Sequence, residues 1–175
     1  MSRGRILWDI RHGDAMLDTL KDLYAHQAWA DAAHWKAVLA HGPARTDADL
    51  GERLFHIHAV QRIWLARWQE APVAVPQPGF PSPEAFRDWA TEGHGAVAAF
   101  LAGVSAADLA RPVRYRNLAG DPFVQPLGEL MLHLPFHSQY HRGQSATRMV
   151  QLGGHMPGTD LVTWMRDGRP AADWG

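Results

Sequence analysis

Apolar residues recur at three- and four-residue steps along four segments of the chain, which is the period of a helix with one buried face. Helix-start signals precede two of these segments: Thr46 is a cap candidate, and Ser82 stands before a first-turn proline. Gly42 with Pro43 ends the first segment, and a glycine pair ends the last. The pattern therefore predicts four long amphipathic helices, over about 14–41, 47–70, 83–104 and 126–153.

The period changes between Pro112 and Gln125, where VRYRN and PFVQ flank a Leu-Ala-Gly-Asp turn and predict a short hairpin or extended crossover. Five prolines between Ala71 and Pro83 predict a long loop. A short turn is expected over 105–111 and a terminal helix over 159–167. These elements indicate an all-α four-helix bundle with a strand-like crossover before the last long helix. We expect one domain over residues 1–175, with its core over about 14–167.

Composition narrows the class of protein. Of the 175 residues, 46% are apolar and 20% are charged, as is typical of a soluble globular chain. The formal net charge of -1 argues against a broad phosphate-binding surface, so we expect no nucleic-acid partner. The absence of cysteine excludes disulfides, thiolate ligands and cysteine nucleophiles. Apolar runs are too short for a membrane helix and no signal-type segment opens the chain, so we expect a cytoplasmic protein.

Three of the eleven histidines stand at four-residue steps in the fourth predicted helix: His133, His137 and His141. They project within an arc of about 80°, but the outer two lie about 12 Å apart along the axis. That separation is too large for both to bind one metal ion through short bonds. The helix therefore offers one ligand pair, either His133 with His137 or His137 with His141.

A metal site open to substrate usually has about three protein ligands. The second helix offers His56 and His58, whose side chains point about 200° apart. If the face shared by His56 and Val60 looks inward, His56 is the third ligand and His58 is not. Spacing alone supports two interpretations equally: a three-histidine metal site, or histidines that are packed in the core without a metal ion. Imidazole ligands suit Zn, Ni, Cu and Fe alike.

The string HSQYHRGQ resembles the DinB/YfiT-like superfamily, whose last long helix commonly carries a histidine pair followed by Arg-Gly-Gln. His56, followed by Ala59 and Trp64, is similar to that family's second-helix metal motif, and VRYRN…GDPF resembles its strand-like segment. The similarity covers about Leu17 to Met165. It implies a bundle with up-down-down-up-like crossing. The implied metal ligands are His56, His137 and His141, with His133 nearby, and we expect the three rings to meet inside the bundle.

The resemblance also implies a chemistry. Relatives are described as binding zinc or nickel, and the better understood ones are thiol-dependent S-transferases and isomerases that use bacillithiol or mycothiol. We therefore expect one divalent metal ion, Zn or Ni, a low-molecular-weight thiol, a small electrophilic substrate and a homodimer. The expected activity is thiol S-transfer or hydrolysis. The alternative is a non-catalytic, stress-related metal-binding bundle, and no catalytic residue is assigned.

Several residues depart from the family pattern or have uncertain roles. Pro135 is expected to interrupt the fourth helix between His133 and His137, because it removes one donor and favours a kink. Gln61 replaces an acidic residue common in the second-helix motif, and no glutamate near the triad in sequence is a clear general base. Arg142 and Gln144 are predicted to brace neighbouring segments or a dimer face. Core packing is the interpretation of the aromatic residues that could border a site: Tyr24, Trp29, Trp64, Trp68 and Tyr140.

Overall fold

The computed structural model describes residues 3–74, 77–117 and 119–175, with side chains from residue 13 onward. Its elements, in chain order, are α1 (Arg3–Ala40), α2 (Gly42–Arg45), α3 (Ala48–Trp68), α4 (Pro83–Ala102), a 3-10 turn (Ala106–Ala110), β1 (Pro112–Arg116), β2 (Pro122–Pro126), α5 (Leu127–Gln151) and α6 (Leu161–Arg166). The four long predicted helices are α1, α3, α4 and α5. The predicted start of α1 near Asp14 is wrong, because the helix already begins at Arg3.

Side-chain caps set the starts of α3 and α4. The Asp47 carboxylate accepts a hydrogen bond from the Leu50 backbone N–H at 2.8 Å, so Asp47, and not the predicted Thr46, caps α3. Ser82 caps α4 as predicted, because its Oγ accepts from the Ala85 N–H at 3.1 Å. Both side chains satisfy a donor that the first helical turn leaves without a partner.

Two apolar clusters mark the two ends of the bundle. The hairpin-end cluster is built mainly from Leu17, Leu20, Tyr24, Trp64, Trp68, Val97, Leu101, Leu127, Leu130, Met131 and Leu134. The far-end cluster is built from Trp35, Val38, Ala44, Leu50, Leu54, Ala90, Met149 and Met156. Thus α1 and α5 run from the hairpin end to the far end, whereas α3 and α4 run the opposite way. The order is up-down-down-up, as expected, so the end of α3 and the start of α4 lie at opposite ends of the bundle.

The predicted hairpin is present before α5. Strands β1 and β2 pair antiparallel from Pro112 opposite Pro126 to Arg116 opposite Pro122. Val113 is fully buried and joins the hairpin-end cluster, so the hairpin closes that end of the bundle.

Helix α5 continues through Pro135, contrary to the expected interruption. Proline has no N–H, so the carbonyl of Met131, four residues earlier, loses its helical partner. The hydroxyl of buried Tyr24 donates to that carbonyl at 2.7 Å. Burial raises the pKa of Tyr24, which keeps the donor protonated. A side chain of α1 thus satisfies the one acceptor that Pro135 leaves free.

A buried polar layer separates the two apolar clusters, and all four long helices contribute to it. The Asp31 carboxylate of α1 accepts from Arg142 Nη1 of α5 at 2.9 Å and lies 2.9 Å from His94 Nε2 of α4. His58 of α3 accepts at Nε2 from Trp35 Nε1 at 3.0 Å. Arg142 therefore braces α5 against α1, which is the kind of role predicted for it.

Charge and burial decide the protonation of this polar layer. Burial alone would raise the pKa of Asp31, but the positive charge of Arg142 and the hydrogen bond from His94 hold that pKa well below its usual range. Burial lowers the pKa of His58 to about 4. At neutral pH the layer therefore contains an ionised Asp31–Arg142 pair beside a neutral His58.

Replacing Asp31 tests how strongly the fold depends on the polar layer. We expect Asp31→Asn to lower the free energy of unfolding by about 3–5 kcal/mol, because Arg142 would stay buried without a counter-charge. The control is Asp22→Asn, which removes an exposed pair with Arg169 and should cost about 1 kcal/mol or less. Urea unfolding measures both variants. Equal losses would show that the buried pair is not important for stability.

Candidate metal site

Three histidines meet where α3 packs against α5. His56 comes from α3, and His137 and His141 come from successive turns of α5. One ring nitrogen of each lies within 4.8 Å of the others. The ring centroid of His141 is 4.4 Å from that of His56 and 4.5 Å from that of His137. The structure thus brings together the three residues named from the sequence.

The distance between His56 Nε2 and His137 Nε2 is 3.2 Å. Two nitrogens bound to one tetrahedral zinc at 2.0–2.1 Å are about 3.3–3.4 Å apart. The observed separation therefore fits two ligands of a shared ion. The same distance also allows a single N–H···N hydrogen bond between the rings.

The cluster lies at the protein surface, so the expectation of a site inside the bundle is wrong. His56 is exposed and the other two rings are half-buried. The core-facing stripe of α3 includes Ile57 and Gln61, and His56 points about 100° away from Ile57. The helix face that looks inward is the one that carries His58, which is 3% exposed in the polar layer. His56 still meets the pair, because it lies at the border where α5 packs.

His133 stays outside this group. Its ring packs edge-on against Trp64 at 5.4 Å, and its centroid is 5.6 Å from that of His137. Of the two ligand pairs that spacing left open, His137 with His141 is the one that meets His56.

Gln144 orients one of the three rings. His141 Nδ1 lies 2.8 Å from Gln144 Oε1, and a carbonyl oxygen can only accept, so Nδ1 carries the proton. The lone pair of His141 is then on Nε2, the nitrogen that remains for a ligand bond. Gln144 was predicted to brace neighbouring segments, but its observed partner is this imidazole. His137 Nδ1 is buried and has no hydrogen-bond partner among the described residues.

Comparison with known proteins identifies the family. The profile of the DinB superfamily matches residues 27–145, which is more than half of the chain. This chain belongs to the DinB superfamily. A similar solved structure is a DinB-like protein from Bacillus cereus ATCC 10987, with 20% identity and a TM-score of 0.49. That match covers 83% of this chain and 95% of the other. The search of curated proteins found no match.

The environment of this DinB-superfamily cluster favours neutral imidazoles. Burial, followed by the neighbouring rings of His141, His56 and His133, lowers the pKa of His137 to about 4. Partial burial and then His141 lower the pKa of His56 as well. Only neutral imidazole has a lone pair for a metal ion, so at neutral pH these two side chains are in the form that binds metal.

An open cavity of about 450 Å³ reaches His56 and His141. Three charged residues that the sequence reasoning did not use line it: Asp49, which pairs with Arg148 at 3.5 Å, and the two residues Glu52 and Arg53. Neither forms an ion pair within the described part of the chain. Glu52 is therefore a carboxylate that borders the same cavity as two of the three histidines. The signal was present in the sequence, because Glu52 precedes His56 by four residues and so lies on the same side of a helix.

A second group also brings ligand atoms within 4.8 Å of one another: Asp31, His58 and His94 of the polar layer. The carboxylate of Asp31 is already bound by the guanidinium of Arg142 at 2.9 Å. A divalent ion there would be buried beside a fixed positive charge, which is strongly unfavourable. We interpret this group as a hydrogen-bonded ion-pair cluster. Asp31 was detectable in principle, as a charged residue four positions before Trp35 on a buried helix face.

Proton titration of the metal-free protein tests the environment of His137. We expect its ring to remain neutral until the pH falls to about 4, because burial and nearby imidazoles disfavour the charged form. The His141→Asn variant should show a raised His137 pKa, because the imidazole of His141 is one of the neighbours that lower it while the burial remains. NMR of the ring protons, assigned with a His137 variant, measures both values. A titration of His137 near 6.5 would contradict the described environment.

Proposed function

We propose that this DinB-superfamily protein binds one divalent ion, Zn or Ni, through His56, His137 and His141 and uses it for thiol S-transfer. The main support is the meeting of three imidazoles from two helices, with ring nitrogens within 4.8 Å of one another. The cavity beside them is open to solvent, which is what a site that exchanges substrates needs.

The ligand set favours an anionic substrate group. Three neutral imidazoles leave the double positive charge of the ion uncompensated. When bound, such an ion lowers the pKa of a coordinated thiol or water. The chain has no cysteine, so the thiol would be a separate low-molecular-weight molecule.

Residues on the rim would assist the transfer. The Glu52 carboxylate has no ion-pair partner among the described residues, and it lines the same cavity as His56 and His141. In the proposed reaction it accepts the thiol proton at a carboxylate oxygen and passes it to solvent. The sulfur then forms a bond to the electrophilic carbon, and the leaving group departs with the electron pair of the bond that breaks. The contact between Gln144 Oε1 and His141 Nδ1 selects the tautomer of the neutral ring in which Nε2 is the nitrogen left for a ligand bond.

Hydrolysis is the nearest alternative, because water can take the place of the thiol in the same open cavity. A non-catalytic, stress-related metal-binding bundle is the second alternative. It is favoured by the exposure of His56, which leaves the cluster without an enclosing wall.

We also propose a homodimer that uses the outer face of α5. Phe136, Tyr140 and Val150 lie on this face and are 65%, 66% and 64% exposed. Large apolar side chains exposed along one helix are typical of an interaction surface. Within the described residues, none of the helices has the length and apolarity that a bilayer crossing requires. The cytoplasmic location, the stress role and the single-domain organisation stay predictions.

Metal analysis of single variants tests the ligand set. His56→Ala, His137→Ala and His141→Ala should each lose stoichiometric metal, because two imidazoles rarely retain an ion alone. His155→Ala replaces an exposed histidine outside the cluster and should keep the metal of the parent protein. His58→Ala should also keep it. Elemental analysis after dialysis measures all five, and metal loss only in the His58 variant would show that the wrong ligands are assigned.

Thiol binding and conjugation test the reaction. Co(II)-loaded protein should gain a near-ultraviolet charge-transfer band on titration with glutathione, bacillithiol or mycothiol, and His137→Ala should not. At least one of these thiols should be conjugated to 1-chloro-2,4-dinitrobenzene, with release of chloride. Normal metal binding without either response would refute S-transfer and leave hydrolysis or the non-catalytic bundle.

A further inference from the structure

A second cavity, of about 440 Å³, lies at the far end of the bundle between α1, the first turns of α3 and α4, and residues 78–83. Aromatic rings form much of its wall. Phe80 and Phe86 stack with centroids 4.4 Å apart and planes 3° apart, and Phe86 meets buried Trp35 edge-on at 4.8 Å. Phe55 of α3 adds a fourth ring. The cavity volume of about 440 Å³ is in the range of cavities that bind small organic ligands.

Two of the three charged residues that line this cavity, Arg45 and Asp47, are paired with residues outside its lining. Arg45 Nη2 donates to Glu84 at 2.5 Å, and Arg148 donates to Asp47 at 2.7 Å. These pairs leave few free charges at the rim for an ionic ligand. Aromatic walls with neutralised rim charges suit a neutral, planar, apolar molecule, which gains from burial and from stacking or edge-to-face contacts.

Glu52 connects this aromatic cavity to the histidine cluster. It lines both the aromatic cavity and the open cavity that reaches His56 and His141. The two cavities are therefore adjacent around α3, and a molecule seated among the rings can extend past Glu52 toward the histidines.

We propose that the aromatic cavity is the binding site for the electrophilic substrate and that it selects neutral aromatic compounds. The proposal rests on the proposed S-transfer for the identity of the ligand as an electrophile. The binding of a neutral aromatic molecule in this cavity does not depend on the metal and can be measured without it.

Gly51 allows the cavity to be filled with little disturbance. It lines the cavity, and a Cβ added to it would meet no atom within 4 Å. Gly51→Phe should thus place a ring in the cavity while the fold is kept. Gly95→Phe is the matched control, because Gly95 is an exposed helical glycine of α4 whose added Cβ also meets nothing.

The first measurement is the affinity of metal-free protein for the neutral fluorescent probe N-phenyl-1-naphthylamine. We expect Gly51→Phe to weaken binding by about tenfold or more and Gly95→Phe to leave it unchanged. Circular dichroism and metal content should match the parent protein in both variants. The anionic probe 1-naphthoate should bind more weakly than the neutral one, since Glu52 lies at the rim.

Equal affinity in the two glycine variants, or no probe binding to the parent protein, would overturn the proposal. Stronger binding of the anionic probe would overturn the selection of neutral compounds. If probe binding is lost in Gly51→Phe but no thiol is transferred, the cavity is confirmed and the proposed reaction fails. If transfer occurs and Gly51→Phe leaves the KM for the aromatic electrophile unchanged, the reaction stands and the cavity is not its substrate site.

Discussion

The buried pair between Asp31 and Arg142 is the interaction on which the arrangement of the site most depends. Arg142 follows His141 directly, and adjacent helical side chains point about 100° apart. Because Arg142 is held toward α1 at 2.9 Å from Asp31, His141 faces the seam with α3. One turn earlier, Ser138 accepts a hydrogen bond from Gln27 of α1 at 3.0 Å. Ser138 and Arg142 thus anchor α5 from inside, one residue after each of its two clustered histidines.

The polar layer fixes the position of the helices along the bundle axis as well as their rotation about their own axes. Buried ion pairs add little net stability compared with apolar packing, but leaving one partner alone is costly. A shift of α5 along α1 by one turn would place Arg142 against an apolar cluster and leave Asp31 without its counter-charge. Only the observed alignment satisfies both groups, and it also brings the two histidines of α5 level with His56. The same constraint therefore positions the fold and the candidate metal site.

The surface position of the histidine cluster has a chemical consequence. Rings that are only half-buried are partly desolvated, which keeps His137 neutral, while the open side leaves access for other molecules. An interior site would need an entry path through the packed core. Here Glu52 separates the open cavity at the histidines from an aromatic cavity at the far end. The two cavities thus share one wall residue on α3.

Much of this protein could be predicted from its sequence. Helical periodicity and turn residues are local properties of the sequence. They therefore predict the four long helices, the hairpin and the histidine pair of α5. The family resemblance supplied His56. The sequence did not decide whether the face of α3 with His56 or the face with His58 looks inward. Each histidine directly follows an apolar residue, Phe55 or Ile57, that could belong to the core.

Tertiary packing decided what remained. It buried His58 beside Trp35 and left His56 at the surface, because rotation of a helix depends on its neighbours and not on its own pattern. It also paired Asp31 with Arg142, residues that are 111 positions apart. Local spacing by itself determined which side chains share a helix face. Only contacts between distant segments determined which of those faces meet, and therefore where a metal ion and a substrate would lie.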